Sequence, residues 1–196
     1  DLGHSPFGHA GERGLQNAMA KFGGFDHNIQ SLKIMTKLEI HYPEFSGLNL
    51  TWETLEGTVK HNGPIKKTTS AYLKEFNKKY DLDLKNYPSL EGQVGAVADD
   101  IAYNNHDIDD GFNAGFFSIE KLRELPFIGR IVADFEKEHP GCDDDRLKIY
   151  AITRNMIARM IFDVLRNTKE NIARHKIATD NDARYLKALT VDFSEE

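Results

Sequence analysis

The stretch that most constrains the fold of this chain runs from roughly Asp145 to Arg174. Leu147, Ile149, Ile152, Met156, Ile157, Met160, Ile161, Val164 and Leu165 recur there at helical spacing and form a broad apolar stripe. A helix of that length with so wide a stripe must be covered by other helices, and no convincing period-2 strand occurs anywhere in the sequence. The fold class that follows is all-α, a helical bundle. Stop and start signals divide the rest of the chain into further helices. Gly11 to Phe22 reads as one, halted by Gly23-Gly24. His27 to about Ile40 follows Asp26 as N-cap. Thr51 caps a helix that reaches His61, with Leu50 and Leu55 placed as a hydrophobic staple and Asn62-Gly63-Pro64 as its end. Ala71–Tyr80, then Ser89 to about His106, Ile119–Leu125 with Pro126 as its stop, and Ile128 to about Glu138 complete the series. The sequence places residues 1–178 in one core and reads 179–196 as a linker or the start of a further region.

Composition narrows the class of protein. A chain of 196 residues with 40% hydrophobic and 29% charged residues is long enough to bury a core and has the balance of a soluble globular protein. No apolar run approaches bilayer length, so a membrane is not expected, and the single cysteine, Cys142, suits a reducing, cytoplasmic setting. A net charge of −6 argues against a surface built for nonspecific nucleic-acid binding, and an anionic small molecule would need a locally positive pocket. The chain begins with Asp rather than Met, which predicts a piece of a longer protein lacking its N-terminal part.

Chemistry concentrates in the first twelve residues, Asp1-Leu-Gly-His4-Ser-Pro-Phe-Gly-His9-Ala-Gly-Glu12. Two histidines, two carboxylates and three glycines share a dozen positions. His9 and Glu12 are three apart at a helix start, so they are expected to share a face, and a carboxylate beside an imidazole suits general acid–base work. Asp1 is a hard oxygen donor for a divalent cation. An isolated histidine usually just satisfies a turn; four such groups in twelve positions argue for a site.

A second constellation lies at Ala98-Asp99-Asp100-Ile101-Ala102-Tyr103-Asn104-Asn105-His106-Asp107. Asp99, Tyr103 and Asp107 are spaced four and four, along one face of a helix. Polar groups buried in mid-helix would require a metal or ligand hydroxyls as partners, whereas a solvated acidic face would not. Asp100 points about 100° away around the helix, so Asp99 is the better member of the stripe.

The opening block closely resembles the central motif of the HD-domain deoxynucleoside triphosphate triphosphohydrolases, the bacterial dGTPase-like family. Residues 98–108 look like that family's downstream aspartate motif. Leu-Glu-Gly-Thr-Val-Lys-His-Asn-Gly-Pro at 55–64 and Thr-Arg-Asn-Met-Ile at 153–157 are similar to further family segments, all in the family's order.

The resemblance implies an HD-domain bundle that holds a divalent metal (Mn, Mg, Fe, Co or Ni) with two histidines and two aspartates. Asp1 and Asp99 match the aspartates, and the two histidine ligands would lie upstream of Asp1. His9 matches the catalytic histidine, with Glu12 as its carboxylate partner. His4 and His27 resemble residues near the triphosphate, Tyr103 and Asp107 fall where the deoxyribose is contacted, and Arg154 where phosphate is contacted. Asp100 departs from the pattern, standing where the related mammalian enzyme has a phosphate-contacting lysine; Lys60, Lys66 or Lys67, or residues outside this chain, would then supply the charge. The implied activity is metal-dependent hydrolysis of a dNTP to deoxynucleoside and triphosphate, with homo-oligomers and a nucleotide activator as further implications. The alternatives are another HD-domain nucleotide phosphohydrolase and a catalytically silent nucleotide-binding domain.

Overall fold

The computed structural model describes residues 2–68 and 70–195. Among these the chain forms nine α-helices and no strand: α1 (Gly8–Ala18), α2 (His27–Lys33), α3 (Trp52–Lys60), α4 (Ala71–Lys79), α5 (Leu90–Asn113), α6 (Ile119–Arg123), α7 (Pro126–Glu138), α8 (Asp145–His175) and α9 (Asp180–Tyr185). The all-α expectation is borne out. Among the described residues no helix is long and apolar enough to cross a membrane.

The starts of these helices follow local chemistry. The Asp26 carboxylate accepts from the Ile29 N–H at 3.0 Å, Thr51 caps α3 through the Thr54 N–H, and Ser70 caps α4 through the Leu73 N–H. After Lys33 the helix does not stop but widens into a π-helical turn, Ile34–Leu38, closed by the Glu39 N–H on the Ile34 carbonyl at 3.0 Å. Several boundaries differ from those read in the sequence. α1 begins at Gly8 rather than Gly11, because Phe7 and Gly8 turn the chain with φ of 64° and 56°. Pro126, read as a stop, opens α7, where its missing N–H costs nothing. α5 runs on to Asn113, seven residues past His106.

The chain divides into two compact units. Unit 1 comprises residues 1–96 and 175–190, and unit 2 comprises 97–174 and 191–196. The core of unit 1 joins Ile29, Leu32 and Met35 to Leu55 and Val59 of α3, Leu73 of α4 and Leu82, with Leu50 partly buried against this cluster. The core of unit 2 joins Ile119 and Leu122, Ile128, Ile131 and Val132 of α7, and Ile149, Ile152 and Met156 of α8. The α8 stripe is wider than unit 2 buries: Leu147, Ile157, Ile161 and Leu165 are exposed.

Unit 1 also encloses charge. Lys60 is fully buried, its Nζ 2.7 Å from Glu56 Oε1 and donating to the carbonyls of Asp83, Asn86 and Tyr87 at 2.9, 3.1 and 3.1 Å. Arg184 of α9 brings a second cation, with Nε 3.7 Å from the same carboxylate and its guanidinium over the Trp52 ring. α9 starts with a capping box between Thr179 and Asp182, and the Thr190 N–H donates to Gln93 Oε1 at 2.8 Å. Residues 179–190 thus pack within unit 1, with Ala183 and Thr190 fully buried.

Candidate active site

The turn that presents the histidines of unit 1 is built on close backbone approach. The Gly3 N–H donates to Ser31 Oγ at 2.9 Å, and a Cβ added at Gly3 would lie 2.3 Å from both the His27 carbonyl oxygen and the Ser31 nitrogen. Only glycine lets residues 2–5 rest on α2. Gly11 is equally constrained, since a Cβ there would lie 1.8 Å from the Pro6 carbonyl oxygen. Ser5 Oγ donates to the Gly8 carbonyl across the left-handed pair at Phe7 and Gly8.

This turn, α1 and the start of α2 bring three imidazoles together. The ring centroids are 5.7 Å apart for His4 and His9, 5.3 Å for His4 and His27, and 6.1 Å for His9 and His27. Glu12 lies against them, but its hydrogen-bonded imidazole is His27. Glu12 Oε1 stands 2.7 Å from His27 Nδ1 and accepts the His27 backbone N–H at 2.9 Å. The pairing of His9 with Glu12 expected from their spacing is thus corrected: among the described residues His9 makes ring contacts only. The reason is the entry of α2, which points its first N–H at the carboxylate and leaves no equal donor on α1.

The electrostatics follow from that contact. Burial pushes the Glu12 carboxyl up, but the hydrogen bonds from the His27 ring and backbone, with the charges of His27 and His9, outweigh it and hold the group below the usual carboxylate value. The Glu12 carboxylate lies against His27 Nδ1, and the Ser5 carbonyl lies 3.0 Å from His4 Nδ1. Glu12 and His27 are largely shielded from solvent, while His4 and His9 are exposed.

The remaining expected residues lie in unit 2. Asp99, Tyr103 and Asp107 form one solvent-exposed stripe of α5, Tyr103 being 60% exposed, while Ile101 and Asn105 take the buried side. All three side chains are open to solvent and none is held by the packing of unit 2. Arg154 is exposed on α8. Lys60 is excluded as a phosphate ligand by its burial against Glu56, whereas Lys66 and Lys67 remain exposed in unit 1. Asp1 lies outside the described residues. Among the described residues no group of three or more His, Cys, Asp or Glu side chains is arranged to hold a metal ion, so the chain's described donors do not by themselves fit one. The sequence pointed to the histidines through their density; it gave no sign of Ser31, which seats the turn, or of a Glu12–His27 contact spanning fifteen positions.

Comparison with known proteins finds no matching family model. Curated relatives are nonetheless close. A protein of Bradyrhizobium sp. (strain ORS 278) is 50% identical across the whole of this chain and 51% of its own length. One of Caulobacter sp. (strain K31) is 46% identical across the whole chain and 50% of its own, and one of Rickettsia rickettsii (strain Iowa) 45% across the whole chain and 51% of its own. Each is named a deoxyguanosinetriphosphate triphosphohydrolase-like protein. The chain spans about half the length of the curated relatives it matches. With that identity sustained from end to end, the chain belongs to the deoxyguanosinetriphosphate triphosphohydrolase-like family.

Proposed function

We propose that this chain forms part of an enzyme that hydrolyses a deoxynucleoside triphosphate at the α-phosphorus, releasing a deoxynucleoside and intact triphosphate. The observation that carries the reading is the Glu12–His27 contact inside a trio of imidazoles, in a chain whose relatives bear the triphosphohydrolase-like name. Water adds to the α-phosphorus, the bond to the 5′ oxygen breaks, and that oxygen must receive a proton to leave as a hydroxyl. His9, the exposed imidazole of the trio, is the proposed catalytic residue for that transfer. Glu12 is a positioning residue that fixes the tautomer and orientation of His27. His4 and His27 are proposed to face the triphosphate. Tyr103 and Asp107 are assigned to the deoxyribose, and Arg154 to phosphate.

Asp1 and Asp99 are proposed as ligands of a divalent cation, which when bound would polarise the phosphate. The described residues alone give no closed ligand set, and no step is derived through the ion. A homo-oligomer working in the cytoplasm is part of the same proposal.

Phosphorus NMR of dGTP with Mn²⁺ and the protein at the full length of its relatives tests the reading. A tripolyphosphate signal that vanishes with His9→Ala is expected. Pyrophosphate or orthophosphate would reassign the chemistry to another nucleotide phosphohydrolase. Unchanged dGTP, with the other three dNTPs equally untouched, would leave a nucleotide-binding domain without turnover.

A further inference from the structure

The apolar stripe of α8 leaves one side uncovered, and α5 runs beside it to complete a groove of about 370 Å³ within unit 2. Ala98, Ile101 and Ala102 line it from α5, and Tyr150, Ile157 and Ile161 from α8. None of these six residues belongs to the site proposed above. Tyr150 is 51% exposed, Ile157 37% and Ile161 44%, whereas Ile152 and Met156 on the same helix are core. Large apolar side chains gathered in one open concavity mark a surface that something else covers. The two alanines of α5 leave room there for another backbone to come close.

The same groove holds unmet hydrogen-bonding capacity. Asn105, which also lines it, is 4% exposed, and its Nδ2 donates to the Ile101 carbonyl at 2.7 Å. Its Oδ1 is buried with no hydrogen-bond partner among the described residues. Asp109, one turn further along α5, lines the groove with an Oδ1 in the same condition. A buried acceptor without a donor is costly, and more so on a carboxylate. The occupant that suits this surface is therefore apolar along one face and brings a donor, a lysine or arginine, to Asp109.

We propose that an amphipathic helix from the part of the full-length protein outside these 196 residues docks in this groove, its apolar face on Ile157 and Ile161 and a lysine or arginine at Asp109. The chain spans about half the length of its curated relatives, so a comparable length of further chain accompanies this fold in each of them. A segment of the same polypeptide meets the groove at an effective concentration of about millimolar, which favours it over a second copy arriving from solution. The proposal does not rest on the hydrolysis reading. Its test needs no substrate, so the two fail separately.

The experiment puts the photo-crosslinking residue p-benzoylphenylalanine in place of Tyr150, whose shape it extends, in the full-length protein. An equal mixture of ordinary and heavy-isotope protein is irradiated, and the linked peptides are mapped by mass spectrometry. The expected link joins position 150 to a peptide outside the 196 residues, with no pairs of mixed isotope. Mixed pairs would overturn the proposal in favour of an interface between copies. A link within the 196 residues, or no link at all, would overturn it outright. Stability supplies a second readout that does not depend on the probe. In the full-length protein Ile161→Asp should lower the thermal midpoint by about 4 °C, while Ile161→Leu should leave it unchanged. An Ile161→Asp midpoint equal to that of the unaltered protein would show the groove open to water and overturn the proposal.

Discussion

One oxygen of Glu12 holds His27 twice, at 2.7 Å from the ring Nδ1 and at 2.9 Å from the backbone nitrogen. The carboxylate thereby caps the first residue of α2 and fixes an imidazole in the same contact. Glu12→Gln keeps the shape and removes the charge. The variant should fold with an intact histidine cluster yet lose about 100-fold in kcat, the scale on which small misplacements of catalytic groups act. An unchanged kcat in steady-state hydrolysis would reduce Glu12 to a helix cap.

The same contact sets a pH dependence of stability. The folded carboxyl of Glu12 lies below its ordinary value of 4.5, so the folded state favours the ionised form. That contribution is complete above the ordinary value and disappears as pH falls through the lower folded one. The stability difference between the unaltered protein and Glu12→Gln should therefore hold steady from neutral pH down to mild acid and close below it. Denaturant midpoints measured across that range check this, and a gap that widened in acid would contradict it.

Gly3 sits where no side chain fits. In Gly3→Ala the methyl group meets two backbone atoms of α2 at 2.3 Å, and neither can rotate away. The turn must lift off Ser31, at a cost of about 1–3 kcal/mol, the range of overpacked sites. Thermal unfolding should show that loss, and His4 should lose its place beside His27. Ser31→Ala is the milder partner variant: it removes the acceptor at 2.9 Å and leaves the space.

Burial separates Lys60 from the lysines that can meet a substrate. Lys60→Met leaves Glu56 fully buried, with Arg184 at 3.7 Å as its remaining cation and a 3.4 Å contact from the Ser89 N–H. Breaking a buried pair from one side costs about 3–5 kcal/mol. The expected result is a large fall in unfolding free energy, much of it recovered when Glu56→Leu is added. A raised KM at unchanged stability would instead return Lys60 to the substrate.

The helices were legible because their signals are local. Asp26 and Thr51 each cap the next helix through a hydrogen bond inside four residues, whereas Thr179 caps α9 in a stretch that reads as a linker. The apolar period of residues 145–174 likewise found α8. What stayed hidden depends on distant partners. Arg184 reads as a surface residue until Glu56 is seen buried beside it, and the spacing of His9 and Glu12 suggested a pair that α2, fifteen positions on, claims for His27. Pro126 misled for a different reason, since proline ends one helix and begins another equally well.

The stripe of Asp99, Tyr103 and Asp107 offers the sharpest separation of structural from functional roles. All three are exposed on α5, so nothing in the packing of unit 2 depends on the Tyr103 hydroxyl or the Asp107 charge. Tyr103→Phe and Asp107→Asn should leave stability within about 0.5 kcal/mol, as surface substitutions do. If the pair reads the sugar, each variant should lose about tenfold in kcat/KM for a dNTP, the worth of one hydrogen bond, and the double variant should discriminate less between dNTP and ribonucleotide. The measurement is a competition assay with both nucleotides at equal concentration. Discrimination that survives in the double variant would remove these residues from the sugar site and leave the stripe as a solvated face.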